Sequence, residues 1–290
     1  MPAGMEHLIT SYGERLAALV AERGPLCVGM DPHPGLLASW GLAADVHGLE
    51  RCARGMIEAL GGTVPVFKPQ SAFFEAHGAA GIAVLERTLA DIKAAGAISL
   101  LDVKRGDIGS TMDAYAAAYL SDGSPLAADA VTLSPYLGFG SLDGAIELAD
   151  RGGRGVYVLA LTSNPEGVQV QRARSVDGRT VGQIVIDEAA SRNATRIKPG
   201  AGLGPVGVVV GATIGPTATD FTALRGSILA PGIGAQGGTS ADLSAVFGDA
   251  TRFVLPAASR EVMSAGPTPA GLQAAATRML GEMKAVIRLR

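Results

Sequence analysis

The chain has 290 residues, 48% hydrophobic and 18% charged, with 24 basic against 27 acidic side chains and a net charge of −3. That balance gives no sign of a basic face for nucleic acid and supports a large buried core. The longest apolar runs are under ten residues, too short for a helix to cross a membrane.

The N-terminal Met-Pro-Ala-Gly-Met-Glu-His carries no basic stretch leading into an apolar one, so no signal peptide is expected. Cys27 and Cys52 lack metal-ligand spacing and read as reduced packing residues of a cytoplasmic protein. A helix is predicted over residues 8–22, ahead of the first strand, covering the bottom of the fold. Strands are predicted at 25–31, 64–68, 98–104, 130–134, 155–162, 206–211, 227–231 and 253–256. Most are continuous hydrophobic runs, as parallel strands buried on both faces are. Between them lie amphipathic stretches of helical length, among them 49–60, 81–95, 112–120, 180–196 and 272–287.

Eight strand-helix units, in roughly the 250 residues such a fold needs, predict a (β/α)8 TIM barrel, an α/β fold. No linker or composition shift marks a second domain. The reading is therefore one domain, with the extra N-terminal helix at about 5–23 and the barrel at about 25–288. An open doubly wound sheet is the alternative, and it lacks a Gly-x-Gly-x-x-Gly at the first strand-helix turn.

A barrel puts its chemistry at the C-terminal ends of its strands, and here those ends turn polar. Strand 1 ends at Asp31 and His33; an aspartate before proline is also a common turn residue. Strand 2 ends at Lys68, Gln70 and Ser71. A lysine there cannot easily reach bulk water, so it calls for a carboxylate, with Asp102 or Asp107 as partner. Strand 3 delivers Asp102, Lys104, Arg105 and Asp107 in six residues. Side chains at i and i+2 of a strand share a face, so Asp102 and Lys104 are predicted side by side. A carboxylate beside an ammonium keeps both charged and holds a proton where a reacting atom can collect it. The blander reading of this cluster is a structural ion pair.

Strand 4 ends at Ser134 and Tyr136, and strand 5 at Thr162, Ser163 and Asn164. The last three offer groups that read the edge of a planar heterocycle, or else cap a helix. After strand 7 runs Pro-Gly-Ile-Gly-Ala-Gln-Gly-Gly, residues 231–238. Such a loop can cradle phosphate with its backbone N–H groups, or serve only as a tight turn. Arg260, at the end of strand 8, offers a forked grip on phosphate oxygens, and Gln236 a neutral donor. No His, Cys and carboxylate set has metal-site spacing.

The Asp-x-Lys-x-x-Asp-Ile-Gly-x-Thr of residues 102–111 resembles the core motif of orotidine 5′-phosphate decarboxylases. With the Thr-Ser-Asn, the glycine loop and the late Ser-Arg, the chain resembles the longer bacterial branch of that family, from about Gly29 to Arg260. The resemblance implies decarboxylation of orotidine 5′-phosphate to UMP without metal or cofactor. It makes Lys68, Asp102, Lys104 and Asp107 the catalytic tetrad, with Lys104 protonating C6. It implies a homodimer in which Asp107 and Thr111 reach the partner's site. Asp31 would bind a ribose hydroxyl, Ser163 the pyrimidine, and Gln236 with Arg260 the phosphate, and Asn164, Gly234 and Gly237 are expected among the substrate-binding residues. Residues 165–180 are longer than in compact relatives, and no role is expected from the resemblance there.

Three rival readings are weaker. Mg²⁺-dependent sugar-phosphate enzymes on the same barrel carry a metal-binding glutamate at the end of strand 2, where this chain has Lys68. A Schiff-base lysine needs a neutral amine, which adjacent carboxylates disfavour. A binding protein without turnover has no use for four juxtaposed charges.

Overall fold

Eight parallel strands pair in sequence order and close into a barrel. The structure, a computed structural model, describes residues 10–197, 202–215, 218–234 and 237–287. The strands are β1 (Cys27–Met30), β2 (Val66–Pro69), β3 (Ile98–Arg105), β4 (Ala130–Leu133), β5 (Gly155–Leu161), β6 (Val206–Val210), β7 (Ile228–Pro231) and β8 (Val254–Ala258). Closure comes from β1 against β8, where Cys27 pairs with Ala257 and Val28 with Ala258. The helices are α1 (Tyr12–Arg23), α2 (Pro34–Ser39), α3 (Val46–Leu60), α4 (Ser71–Glu75), α5 (Gly78–Ala94) and α6 (Gly109–Leu120). They continue with α7 (Asp143–Arg151), α8 (Val168–Gln171), α9 (Val181–Ala194), α10 (Ser240–Phe247), α11 (Arg260–Met263) and α12 (Pro269–Val286).

The strands form where apolar residues run without alternation, because both of their faces are covered. β6, Val-Gly-Val-Val-Val, is buried throughout. The outer layer packs buried residues such as Leu49, Met56 and Leu60 of α3 with Leu85 and Ile92 of α5.

α1 is the predicted extra helix. It starts on a Ser11–Glu14 capping box, which satisfies two otherwise unpaired N–H groups. Tyr12, Leu16 and Val20, four residues apart, share one helix face. They pack onto Cys27, Val66, Ile98 and Leu229, the bottom layer of the barrel interior. Tyr12 meets Tyr157 hydroxyl to hydroxyl at 3.0 Å. Gly155 is required there, because a Cβ would lie 2.5 Å from the Tyr12 ring.

One unit departs from the predicted alternation. Between β6 and β7 no helix forms among the described residues. Threonines at 213, 219 and 222, with Gly215, make a weak helix sequence. The segment is anchored instead by buried Phe221 and Leu224, with Phe221 against Phe247 of α10. The long stretch after β5 contains a 3-10 turn, Pro165–Gly167, then α8, then a bridge between Arg174 and Thr180. Cys27 and Cys52 are free and buried, and burial pushes both thiols up to about 12. Among the described residues, no helix is long and apolar enough to cross a membrane.

Candidate active site

The short helices α2, α4 and α11 follow β1, β2 and β8 directly, and they wall a cavity of about 350 Å³ at the strands' C-terminal ends. Asp31, Lys68, Gln70, Gly232, Ser259 and Arg260 line it. Asp31 leaves β1 with its N–H on Met263 Sδ at 3.2 Å. β1 and β8 approach closely enough that a Cβ on Gly29 would lie 2.7 Å from Ser259 Cβ. Arg260 is exposed at the rim, with its guanidinium unpaired among the described residues.

Lys68 is buried beneath this cavity, and its Nζ donates to Asp102 Oδ2 at 3.0 Å. Lys104 Nζ donates to Asp102 Oδ1 at 2.7 Å. With its amide oriented to satisfy both atoms, Gln70 donates to Asp102 Oδ2 at 3.0 Å and to Asp102 O at 2.9 Å. Thr132 of β4 donates its hydroxyl to Asp102 Oδ1 at 2.8 Å. Burial would raise the Asp102 carboxyl; the ammonium groups of Lys68 and Lys104 outweigh it and hold that carboxyl well below the usual carboxylate range. Burial likewise opposes charge on Lys68, but Asp102 and Asp31 outweigh it and raise the ammonium above the ordinary lysine value. Near neutrality Asp102 is therefore held as an anion and Lys68 as a cation.

The expected pairing of Asp102 with Lys104 is present, but a regular pleat does not produce it. β3 and β4 pair at Leu101–Val131 and next at Arg105–Leu133, so the intervening residues of β3 bulge. Lys104 sits in that bulge at φ +46°, a left-handed conformation that side chains rarely adopt and that clusters at functional sites. Arg105 leaves the array altogether. It donates to Glu75 of α4 at 2.6 Å and to Val103 O at 3.1 Å, and stacks over Tyr115 of α6. Gly106 then passes so close to Ser134 that a Cβ would lie 2.3 Å from its carbonyl oxygen.

The other predicted residues are placed as follows. Asp107 does not join the Lys68 array within one chain; it is half-buried, and its Oδ1 accepts from the Ile108 N–H at 2.8 Å. Thr111 is exposed on the first turn of α6. Ser163 and Asn164 are exposed beyond β5, with Asn164 accepting from Thr162 Oγ1 at 2.6 Å. Gly234, at φ +79°, would put a Cβ 2.7 Å from Glu261. Gly237 is exposed. The N–H groups of Gly234, Gly237 and Gly238 donate to carbonyls of their own loop, so they hold the loop closed. Gln236 lies outside the described residues. Thr132 was missed by sequence reasoning: a threonine inside a strand looks like ordinary β-former composition. Its signal was parity, since Thr132 shares a strand face with Ser134 at the polar exit. Among the described residues, no three His, Cys, Asp or Glu side chains are grouped to hold a metal ion.

A closed parallel barrel with a buried charge array and a walled cavity at its C-terminal mouth is a (β/α)8-barrel enzyme. The chain belongs to the orotidine 5′-phosphate decarboxylase / HUMPS family, whose model matches residues 24–275. It is 61% identical over 277 residues to the orotidine 5′-phosphate decarboxylase of Salinispora arenicola, covering 96% of this chain and 98% of that one. The Salinispora tropica protein of the same name is 59% identical with the same coverage. A solved structure from Streptomyces avermitilis superposes with a TM-score of 0.93 at 52% identity, covering 99% of both chains.

Proposed function

We propose that this chain is a carboxy-lyase that converts orotidine 5′-phosphate to UMP and CO2, the last step of UMP synthesis. The observation that carries the reading is the Lys68–Asp102–Lys104 array beneath the cavity lined by Arg260. Breaking the C6–carboxylate bond leaves an electron pair on C6 with little delocalisation onto the ring. A fixed ammonium beside that carbon stabilises the developing charge with no reorganisation at the moment of reaction. Lys104 Nζ then transfers a proton to C6 and closes the reaction as UMP. Its side chain is 45% exposed, so it recovers that proton from solvent. Asp102, its charge secured by two lysines, faces the departing carboxylate and raises the energy of the ground state. The array calls for no cofactor. Lys68 stands at the end of β2, where a Mg²⁺-dependent relative needs a carboxylate, and its charge repels a divalent cation.

Asp31, beside Lys68 in the cavity wall, suits a ribose hydroxyl, and Arg260 at the rim suits the phosphate, with Gln236 as a second donor; the Gly234 and Gly237 N–H groups, spent within their own loop, leave those glycines to shape it. Ser163 and Asn164 suit the pyrimidine. Phosphate binding far from C6 orients the ring at the reacting centre. The test is loss of orotidine 5′-phosphate absorbance on adding purified protein, with and without EDTA. Fast, EDTA-insensitive loss yielding UMP is expected. No turnover, or turnover abolished by EDTA, refutes the reading and turns the search to sugar phosphates with Mg²⁺.

The active form we propose is a homodimer, located in the cytoplasm, with Asp107 and Thr111 reaching the partner's cavity. Ile108, Tyr136 and Leu137 are 61%, 78% and 52% exposed, an apolar edge beside Asp107 where the two loops touch at Gly106 and Ser134. Exposed apolar side chains grouped this way suit an interface. Mixing Lys104→Ala with Asp107→Ala protein is the check. Random two-fold pairing gives one intact site in each mixed dimer, so activity returns to about a quarter of the wild-type level. Activity equal to the mean of the two parents rules out a shared site.

A further inference from the structure

We infer that Thr132 is a positioning residue for the Asp102–Lys104 pair, an inference that rests on the decarboxylase reading above. Thr132 is 1% exposed in the barrel wall and is not among the residues lining the cavity. It acts through other groups. Its single hydroxyl is used twice: Oγ1 accepts from the Lys104 backbone N–H at 2.9 Å and donates to Asp102 Oδ1 at 2.8 Å. Lys104 Nζ donates to that same oxygen at 2.7 Å. Three hydrogen bonds thus run from the Lys104 backbone through the hydroxyl and the carboxylate to the Lys104 ammonium, and the lysine's own side chain closes the ring.

The chemistry fixes the direction of each bond. A backbone N–H can only donate and an ionised carboxylate can only accept, so the hydroxyl proton must point at Asp102. The ring answers a local problem. The bulge between Leu101 and Arg105 takes Lys104 out of the β3–β4 ladder. A part-buried N–H left without a ladder carbonyl needs another partner, and Thr132 supplies it. The same contact holds Lys104 at φ +46°, where its side chain folds back onto Asp102. On the carboxylate, Oδ1 is held by Thr132 and Lys104 while Oδ2 is held by Lys68. Asp102 cannot turn without giving up one of these partners. The hydroxyl therefore sets where the proton donor and the carboxylate stand relative to each other, and a misplacement of about 1 Å at a reacting group costs roughly 100-fold in rate.

The test compares Thr132→Val, which keeps shape and loses both bonds, with Thr132→Ser, which keeps the hydroxyl and loses a methyl group. Wild-type protein is assayed on orotidine 5′-phosphate alongside. In Thr132→Val, kcat is expected to fall about 10- to 100-fold, the range for loss of an orienting partner, with KM within about threefold. Thr132→Ser is expected to retain more than about a third of wild-type kcat, which a purely packing role would not favour over valine. Equal kcat in the two variants, or a valine variant within about twofold of wild type, overturns the inference. If the valine variant does not fold, Thr132→Ala against Thr132→Ser reads the same hydroxyl, and equal kcat there overturns it too. Absence of turnover by the wild-type chain overturns the decarboxylase reading, and this inference with it.

Discussion

Lys104→Ala is expected to lower kcat at least about 10⁴-fold, while UMP still binds measurably. Two contributions are lost together: stabilisation of charge on C6, worth about 10²–10³, and proton delivery, worth about 10²–10⁴. No neighbour replaces them. Lys68 is buried and committed to Asp102 Oδ2. Arg105 points away into its contacts with Glu75 and Val103. The fold survives the change, because Asp102 keeps Lys68, Thr132 and Gln70, and the Lys104 side chain is half in solvent. Arg260 and Asp31 still line the cavity, so a ligand with ribose and phosphate keeps the handles proposed for it. Single-turnover rates and UMP titration check this. A variant within about tenfold of wild-type kcat would remove Lys104 from the chemistry, since one proton-transfer group alone contributes more than that.

The barrel was legible because its strands are unbroken apolar runs and its strand exits are polar, two signals that repeat around the ring. The missing helix between β6 and β7 was less so. Its Gly and Thr residues argue against a helix, but only packing by Phe221 and Leu224 shows what holds the segment instead. At the site, Lys68 and Asp102 were found by a local argument: a lysine at the end of a buried strand needs an anion. The Asp102–Lys104 contact was expected from the two-residue pleat, yet it is made through a bulge with Lys104 left-handed. Bulges depend on register against a neighbouring strand, which one strand's sequence does not carry. Thr132 escaped for the same reason, and Gln70, read only as a polar strand end, had no partner assigned: both meet Asp102 only because β2 and β4 flank β3. Asp107 was offered by the same local argument as a partner for Lys68, and Thr111 only by the family motif; within a single chain neither meets the lysines.

Asp102→Asn is expected to cost about 3 kcal/mol of stability, the cost of leaving a buried cation without its anion, in addition to severe loss of turnover. In the wild type, Lys68 is buried among Asp102, Asp31 and Cys27, and its charge is held against burial chiefly by Asp102. With asparagine there, burial dominates, and Asp31 is the remaining carboxylate facing the ammonium. The cost has a pH signature. Wild-type Asp102 has its folded pKa lowered, so its contribution is present above the unfolded value, about pH 4, and fades as pH falls through the folded value. Wild-type Lys68 has its folded pKa raised, so its contribution is complete below the unfolded value, about pH 10.4, and fades above it. In the variant Lys68 moves the other way: its folded pKa drops, and the protein gains stability as pH rises toward 10 because a neutral amine tolerates burial. The difference between the two proteins is therefore widest between about pH 5 and pH 8 and narrows on the alkaline side. Denaturant unfolding of both proteins at pH 6, 8 and 9.5 reads this directly. A gap that stays constant across that series would mean that Lys68 never depended on Asp102 for its charge.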